Sequence, residues 1–282
     1  GQRRDKTGNG AGLALEDGKL VVASGFGFIA AMDAASGAEL WRTEMTAPMT
    51  GSPTIKGGKV FATSNNNEIF ALELATGNIA WSDQAIAETA RVLGSPSPAA
   101  VEELVVGPFS SGEVIAYLAS NGRRLWTDAL SRAGRFTPIS AINDVSSRPV
   151  LSAGIVYAAS QSGLLTGIDG RSGNRIWVQP VGSVQAPALV GDYLFVASTE
   201  AQVVALKART GQVFWVAQLE EYENAKKRKD KITYAGPIIA SGRVIVASSR
   251  GELIALDPQT GEETGRLNLK SPVFIEPIAA GG

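Results

Sequence analysis

The sequence predicts an all-β fold, a β-propeller of four-stranded antiparallel blades. Three observations carry that expectation. A tight turn with a central Gly, leading into a segment that ends in Trp, recurs along nearly the whole chain. Its spacing centres on the forties, the length of one blade. Between the copies lie short apolar runs rich in Val and Ile and bounded by Gly, Asn and Asp, which is the pattern of strands rather than helices.

The copies are DAASGAELW, ELATGNIAW, LASNGRRLW, DGRSGNRIW, KARTGQVFW and DPQTGEETG. They end at Trp41, Trp81, Trp126, Trp177, Trp215 and Gly265, at spacings of 40, 45, 51, 38 and 50 residues. All 5 tryptophans of the chain therefore mark one position of one repeat. The central glycines are Gly37, Gly77, Gly122, Gly173, Gly211 and Gly261.

Each unit has the same internal order. A short strand with Pro or small residues comes first, as in GSPTIKG and QAPALVGD. An apolar strand follows (KLVVAS, KVFATS, IVYAAS), then a third (FIAAMDA, EIFALEL, QVVALKA), then the Trp-bearing fourth. The predicted blades are 10–46, 51–85, 95–130, 147–182, 185–220 and 234–269, with 273–282 as the first strand of another. The turn Gly is expected to supply a positive φ, where a Cβ would clash. The Asp or Thr nearby can hydrogen-bond the turn backbone. Middle strands are apolar on both faces because a blade is sandwiched between two others. Each Trp is expected to wedge against the next blade, burying ~200 Å², an upper estimate of several kcal/mol at ~25 cal/mol per Å².

Composition removes several function classes. With no Cys there is no disulfide or thiolate chemistry, and with no His the commonest general base and metal ligand are gone. A Ser nucleophile would lack its usual base. No Gly-rich phosphate loop opens a helix. The net charge of −1 gives no general support for nucleic-acid binding. No run of 18 apolar residues would span a membrane. The opening GQRRDKTGNG does not read as a signal peptide and the pattern stops in mid-unit at PIAAGG, so the sequence is expected to belong to a longer chain.

The pattern ALDxxTGxxxW, best seen in IFALELATGNIAW, resembles the repeat of pyrroloquinoline-quinone-type propellers. That group includes quinoprotein dehydrogenases and non-catalytic scaffolds of the BamB type. LGSPSPA, GPFSSGEVIAY, LSRAGRFTPISAINDVSSRPV and SPVFIEPIAAGG are similar to the corresponding parts of BamB-like proteins. The resemblance implies eight blades in the full-length protein. It also implies a non-enzymatic scaffold of outer-membrane protein assembly, periplasmic at the inner face of the bacterial outer membrane. No cofactor is implied, and the membrane is reached through a lipid anchor outside this chain. The implied partner is the periplasmic domain of a barrel-inserting outer-membrane protein, with unfolded outer-membrane proteins as further clients. The alternatives are a quinone-dependent dehydrogenase, or a propeller binding peptide or glycan. The dehydrogenases use a Glu/Asn/Asp calcium set and many carry a cysteine pair; the sequence has no such pair.

Three connections are long: residues 83–94, 130–146 and 219–233. All run from a fourth strand to the next first strand, so all fall on one face, and insertions gathered on one face of a scaffold suggest a binding surface. By position, the resemblance makes Ala90, Arg91, Val92 and Leu93 of the first loop, with Asp144 and Ser146 of the second, the candidate partner-binding residues. Other polar features read as structural. Asp33, Asp169 and Asp257 are turn caps, and Asn65, Asn66 and Asn67 form a polar hairpin tip. The basic run AKKRKDK follows EEYE, so that loop is expected to be a solvated one of mixed sign.

Overall fold

The computed structural model describes residues 10–86, 96–130, 145 and 147–279. Among them every regular element is a strand. Blade 1 comprises β1 (Ala11–Glu16), β2 (Lys19–Ser24), β3 (Phe28–Asp33) and β4 (Glu39–Glu44); blade 2 comprises β5 (Thr54–Lys56), β6 (Lys59–Thr63), β7 (Glu68–Glu73) and β8 (Ile79–Gln84). Blade 3 holds β9 (Ala99–Ala100), β10 (Leu104–Pro108), β11 (Glu113–Leu118) and β12 (Arg124–Ala129); blade 4 holds β13 (Val150–Ser152), β14 (Ile155–Ser160), β15 (Leu164–Asp169) and β16 (Arg175–Gln179). Blade 5 holds β17 (Ala188–Val190), β18 (Tyr193–Ala197), β19 (Gln202–Lys207) and β20 (Val213–Gln218). A two-stranded hairpin, β21 (Tyr222–Asn224) and β22 (Lys229–Lys231), precedes blade 6: β23 (Tyr234–Ala240), β24 (Arg243–Ser248), β25 (Glu252–Leu256) and β26 (Glu263–Asn268). The six large sheets are four-stranded meanders in chain order, antiparallel throughout. The all-β propeller architecture expected from the repeat is thus the one observed.

First strands of neighbouring blades touch one another, β1 with β5, β5 with β9 and β9 with β13, which makes them the inner strands. The core lies between blades. One cluster joins Val21, Ile29 and Trp41 of blade 1 to Val60, Phe70 and Leu72 of blade 2, and the later pairs repeat it. Strands facing two neighbours are apolar on both sides; all six residues of β14 are buried.

One contact repeats at every blade junction. The indole Nε1 of Trp41 donates to the Leu74 carbonyl of the next blade at 2.9 Å, and Trp81 does the same to Ala119. Trp126, Trp177 and Trp215 donate to Gly170, Ala208 and Pro258. Four of these rings are 9% exposed and Trp215 is half-buried. Each ring lies flat against the turn Gly of the blade it reaches. A Cβ on Gly77 would stand 2.4 Å from Trp41, and one on Gly122, Gly173, Gly211 or Gly261 would meet Trp81, Trp126, Trp177 or Trp215 at 2.5–2.6 Å. The turn glycines have the positive φ the turn requires, +73° at Gly122, but they are also the floor on which a Trp sits. Gly37 has the same φ of +73° with nothing within 4 Å, since no preceding Trp reaches it among the described residues.

The residue paired with each Trp is small: Ala31, Ala71, Ala116, Gly167 and Ala205. A bulge follows directly after it in every blade, adding local twist next to the Trp. Of residues 273–282, expected as the first strand of a further blade, 273–279 are described and form no strand; Val273 N–H donates to Ser248 O, and Ile275 and Ile278 are exposed.

Candidate partner-binding face

The connections out of each fourth strand share a face with the turns between second and third strands. Main-chain bonds tie the two sets together: Met45 N–H to Gly27 O, Ala85 to Asn67, Leu130 to Gly112, Leu219 to Ala201 and Leu269 to Gly251. The Trp acceptors and Gly turns lie on the opposite face, where Leu74 N–H bonds Gly58 O and Ala208 N–H bonds Asp192 O. The three long connections therefore leave from the face not occupied by blade docking.

Their bases are built firmly. Asn67 ends the β6–β7 turn with φ +59° and is 3% exposed. Its Nδ2 donates to Ile86 O at 2.7 Å, where the first long loop departs. Its Oδ1 accepts from Ser110 N–H at 3.2 Å and from Ser110 Oγ–H at 2.7 Å, in the next blade. One buried amide thus clasps a loop base and two blades. The loop's far end is held by Pro96 and Pro98, whose carbonyls accept from the Thr63 and Thr54 hydroxyls. The second long loop starts at Leu130, fully buried, and is pinned near its end by Val145, also fully buried, whose N–H donates to Phe109 O. Ser147 follows, its hydroxyl donating to Ala159 O at 3.1 Å. The candidates Ala90, Arg91, Val92, Leu93, Asp144 and Ser146 lie outside the described residues, between these anchors.

Further features escaped the sequence reading. Arg124, two residues before Trp126, pairs with Asp83, two residues after Trp81, at 2.7 Å. Arg175 holds Asp128 with two bonds of 2.7 and 2.8 Å in the same relation. At two other junctions the residue two after Trp reaches the next turn itself: Thr43 Oγ donates to Gly77 O and Gln179 Nε2 to Gly211 O. The rule was available in the repeat alignment, since the paired residues stand at fixed offsets from Trp. Asn67, by contrast, carries only the local signal of a polar tip; its burial depends on the next blade.

The turn aspartates behave as caps. Asp33 Oδ1 accepts from both the hydroxyl and the N–H of Ser36 at 2.7 Å, and Asp169 does so from Ser172. These bonds, the Ser hydroxyl first, hold both carboxyls below their ordinary range. Asp257 is lowered in the same way, chiefly by the N–H groups of Gln259 and Thr260. Near the axis, Arg148 lies in a cleft of about 750 Å³ with Glu276, Thr54 and Ile238. Desolvation pushes the Arg148 guanidinium down and the Glu276 carboxyl up. Among the described residues no three acidic side chains gather where they would hold a metal ion.

Comparison with known proteins follows the same lines. Residues 2–217 match the family profile of outer membrane protein assembly factor BamB. Residues 179–266 match that of the β-propeller domain of glucose, ethanol and alcohol dehydrogenases. Outer membrane protein assembly factor BamB of Escherichia coli K12 is 25% identical over 322 residues, covering 95% of this chain and 79% of that protein. The protein of the same name from Moranella endobia is 23% identical, over 96% of this chain and 67% of its own. The crystal structure of BamB from Moraxella catarrhalis superposes with a TM-score of 0.80 at 24% identity, over 96% of this chain and 79% of that one. A europium-containing methanol dehydrogenase superposes at 0.71 and 13% identity, over 93% and 71%.

Proposed function

The chain belongs to the BamB family of outer membrane protein assembly factors, and from that premise we propose that it is a non-enzymatic scaffold that docks a barrel-inserting partner through the long loops of one face. The observation that carries the proposal is the division of labour between faces. Blade docking takes place on one side, at the Trp–Gly contacts. The long loops leave from the other, off bases clasped by Asn67, Leu130 and Val145. Loop bases fixed by buried anchors lower the ordering cost of binding.

In sequence, the first loop offers apolar Val92 and Leu93, with Ala90, beside the cation Arg91, and the second offers Asp144 and Ser146. Apolar anchors with charges at the rim suit a modest, specific protein interface. On this reading the protein works in the periplasm at the inner face of the outer membrane, and the role of the fold is positioning rather than catalysis. The test is the affinity of the partner's periplasmic domain for wild type and for Leu93→Ala combined with Asp144→Ala. The expected loss is about tenfold or more, about 1.4 kcal/mol, with the thermal midpoint nearly unchanged, as for surface substitutions. Unchanged affinity would remove this face. Lost affinity with lost stability would place Leu93 in the core and remove it as an anchor.

A further inference from the structure

The third long connection folds into a hairpin. In sequence, EEYENAKKRKDK runs from an acidic block into a basic one. In the structure the acids before β21 are used at the base. Glu220 pairs with Arg250, and with Arg266 at 3.7 Å, both on blade 6. The Glu220 carbonyl accepts from the buried Tyr234 hydroxyl at 2.9 Å, a phenol that burial, reinforced by Glu220, pushes up to about 12. The Glu221 carbonyl accepts from Ile232 N–H, and Ile232 is 2% exposed. The base is thus a fixed part of the ring.

The tip is the opposite. Tyr222 pairs with Lys231 and Asn224 with Lys229, and the chain turns between them through Ala225, Lys226, Lys227 and Arg228. Asn224 Oδ1 caps that turn by accepting from Lys227 N–H at 3.1 Å. Arg228 sits at φ +49° with its guanidinium 5.5 Å over the Tyr222 ring. Lys226, Lys227, Arg228 and Lys229 are consecutive and exposed, and none makes an ion pair among the described residues. From Tyr222 to Lys231 the hairpin carries five cations against Glu223 and Asp230. On a chain of net charge −1 it is a local reversal of sign.

The chemistry of this tip selects its occupant. A specific protein interface needs a desolvated apolar anchor, and the tip has only Ala225; Tyr222 is half-buried beneath Arg228. Sequence-tolerant binding of single-stranded nucleic acid needs exposed rings for base stacking along a charged groove, and a single narrow hairpin offers neither. Four long, mobile side chains with separate positive heads suit a diffuse anionic plane, where each cation near the surface adds to the attraction and no fixed register is needed. We propose that the β21–β22 hairpin is a membrane-contact element, seating Lys226, Lys227, Arg228 and Lys229 against the anionic headgroups of a phospholipid surface. It leaves from the face of the long loops, so contact with the bilayer would set the height and tilt of the ring beneath it. This goes beyond the partner-binding reading and does not depend on it.

The test is co-sedimentation of the soluble 282-residue chain with vesicles of phosphatidylcholine, with and without phosphatidylglycerol. Binding is expected only with phosphatidylglycerol, and is expected to weaken steeply as salt rises, because exposed charges are screened over ~8 Å at physiological ionic strength. Replacing Lys226, Lys227, Arg228 and Lys229 together with Ser is expected to reduce it about tenfold or more, with the thermal midpoint and the affinity for the barrel-inserting partner retained. Equal binding of variant and wild type, or equal binding to neutral vesicles, would overturn the assignment. So would a variant that keeps its vesicles and loses its partner, which would make the hairpin a protein contact. Tighter binding to a single-stranded oligonucleotide than to anionic vesicles would replace lipid with nucleic acid.

Discussion

Replacing Gly122 with Ala tests the central structural claim, that a turn glycine is needed twice over. Gly122 stands at φ +73°, and an added Cβ would lie 2.6 Å from the Trp81 ring carbons Cδ2 and Cε3. The left-handed conformation costs an L-residue roughly 1–2 kcal/mol. Forcing a methyl into a filled interface adds roughly 1–3 kcal/mol, because Trp81 is held at its far edge by the bond to Ala119 O and has no free direction in which to retreat. The expected total is about 2–5 kcal/mol. Gly37 is the internal control. It has the same φ of +73° and open space at its Cβ, so Gly37→Ala is expected to cost only the backbone share, roughly 1–2 kcal/mol. Entropy gained by stiffening the unfolded chain applies to both alike. Urea unfolding of the 282-residue chain measures each. The coupling is then isolated in a Trp81→Ala background, itself expected to lose about 3–5 kcal/mol. There the added cost of Gly122→Ala is expected to fall to the Gly37 level. Equal losses for Gly37→Ala and Gly122→Ala, or strict additivity with Trp81→Ala, would refute the claim that ring and glycine form one contact.

Three further outcomes are expected. Asn67→Ala strands the buried Ser110 N–H, which should cost about 1–3 kcal/mol; unfolding midpoints that match wild type would show that Asn67 is not a clasp. Asp33, Asp169 and Asp257 have folded pKa values below the ordinary aspartate range. Their contribution is therefore present above the unfolded pKa and lost as pH falls through the lowered folded values, so the thermal midpoint should drop below about pH 4, and Asp169→Asn should flatten that drop. Calorimetric titration with pyrroloquinoline quinone and calcium should show no saturable binding; stoichiometric uptake at micromolar concentration would favour the dehydrogenase alternative.

How much of this was legible in the residues follows from how local each feature is. The blades, their strand order and the Trp positions recur with the repeat, because each depends on a turn or a strand that its own residues specify. The Ala of the third strand recurs for the same reason: Ala71 faces Trp81 across one ladder rung. The Arg–Asp latches are also written at constant offsets, but they join consecutive units, and only a comparison across copies exposes them. Asn67 and the hairpin could not be read in this way. Asn67 is buried by Ser110, 43 residues away, and nothing in EEYENAKKRKDK says that Glu220 is spent on Arg250 and Arg266 of the next blade. Charge order along a chain does not say which charges are already paired in space.

The repeat also explains where variation is tolerated. Every blade must present a turn without Cβ to its neighbour's Trp and a carbonyl to its Nε1, so the face bearing those turns has fixed length and fixed chemistry: in each described blade the Gly N–H bonds a carbonyl four residues back, from Asp33 in blade 1 to Asp257 in blade 6. The opposite face has one recurring feature, a main-chain bond from the first residue past the fourth strand to the turn between second and third strands, seen in every described blade but the fourth, where that residue is Pro180. Beyond that bond the connection is free to lengthen. Loop growth after β8, β12 and β20 thus leaves blade docking untouched, while Asn67, the Leu130–Val145 pair and the Ile232–Glu221 bond hold each enlarged loop at its root. A scaffold that concentrates its structural constraints on one face acquires a binding face on the other without loss of stability, and for that reason the functional reading rests on the long loops rather than on the tryptophans.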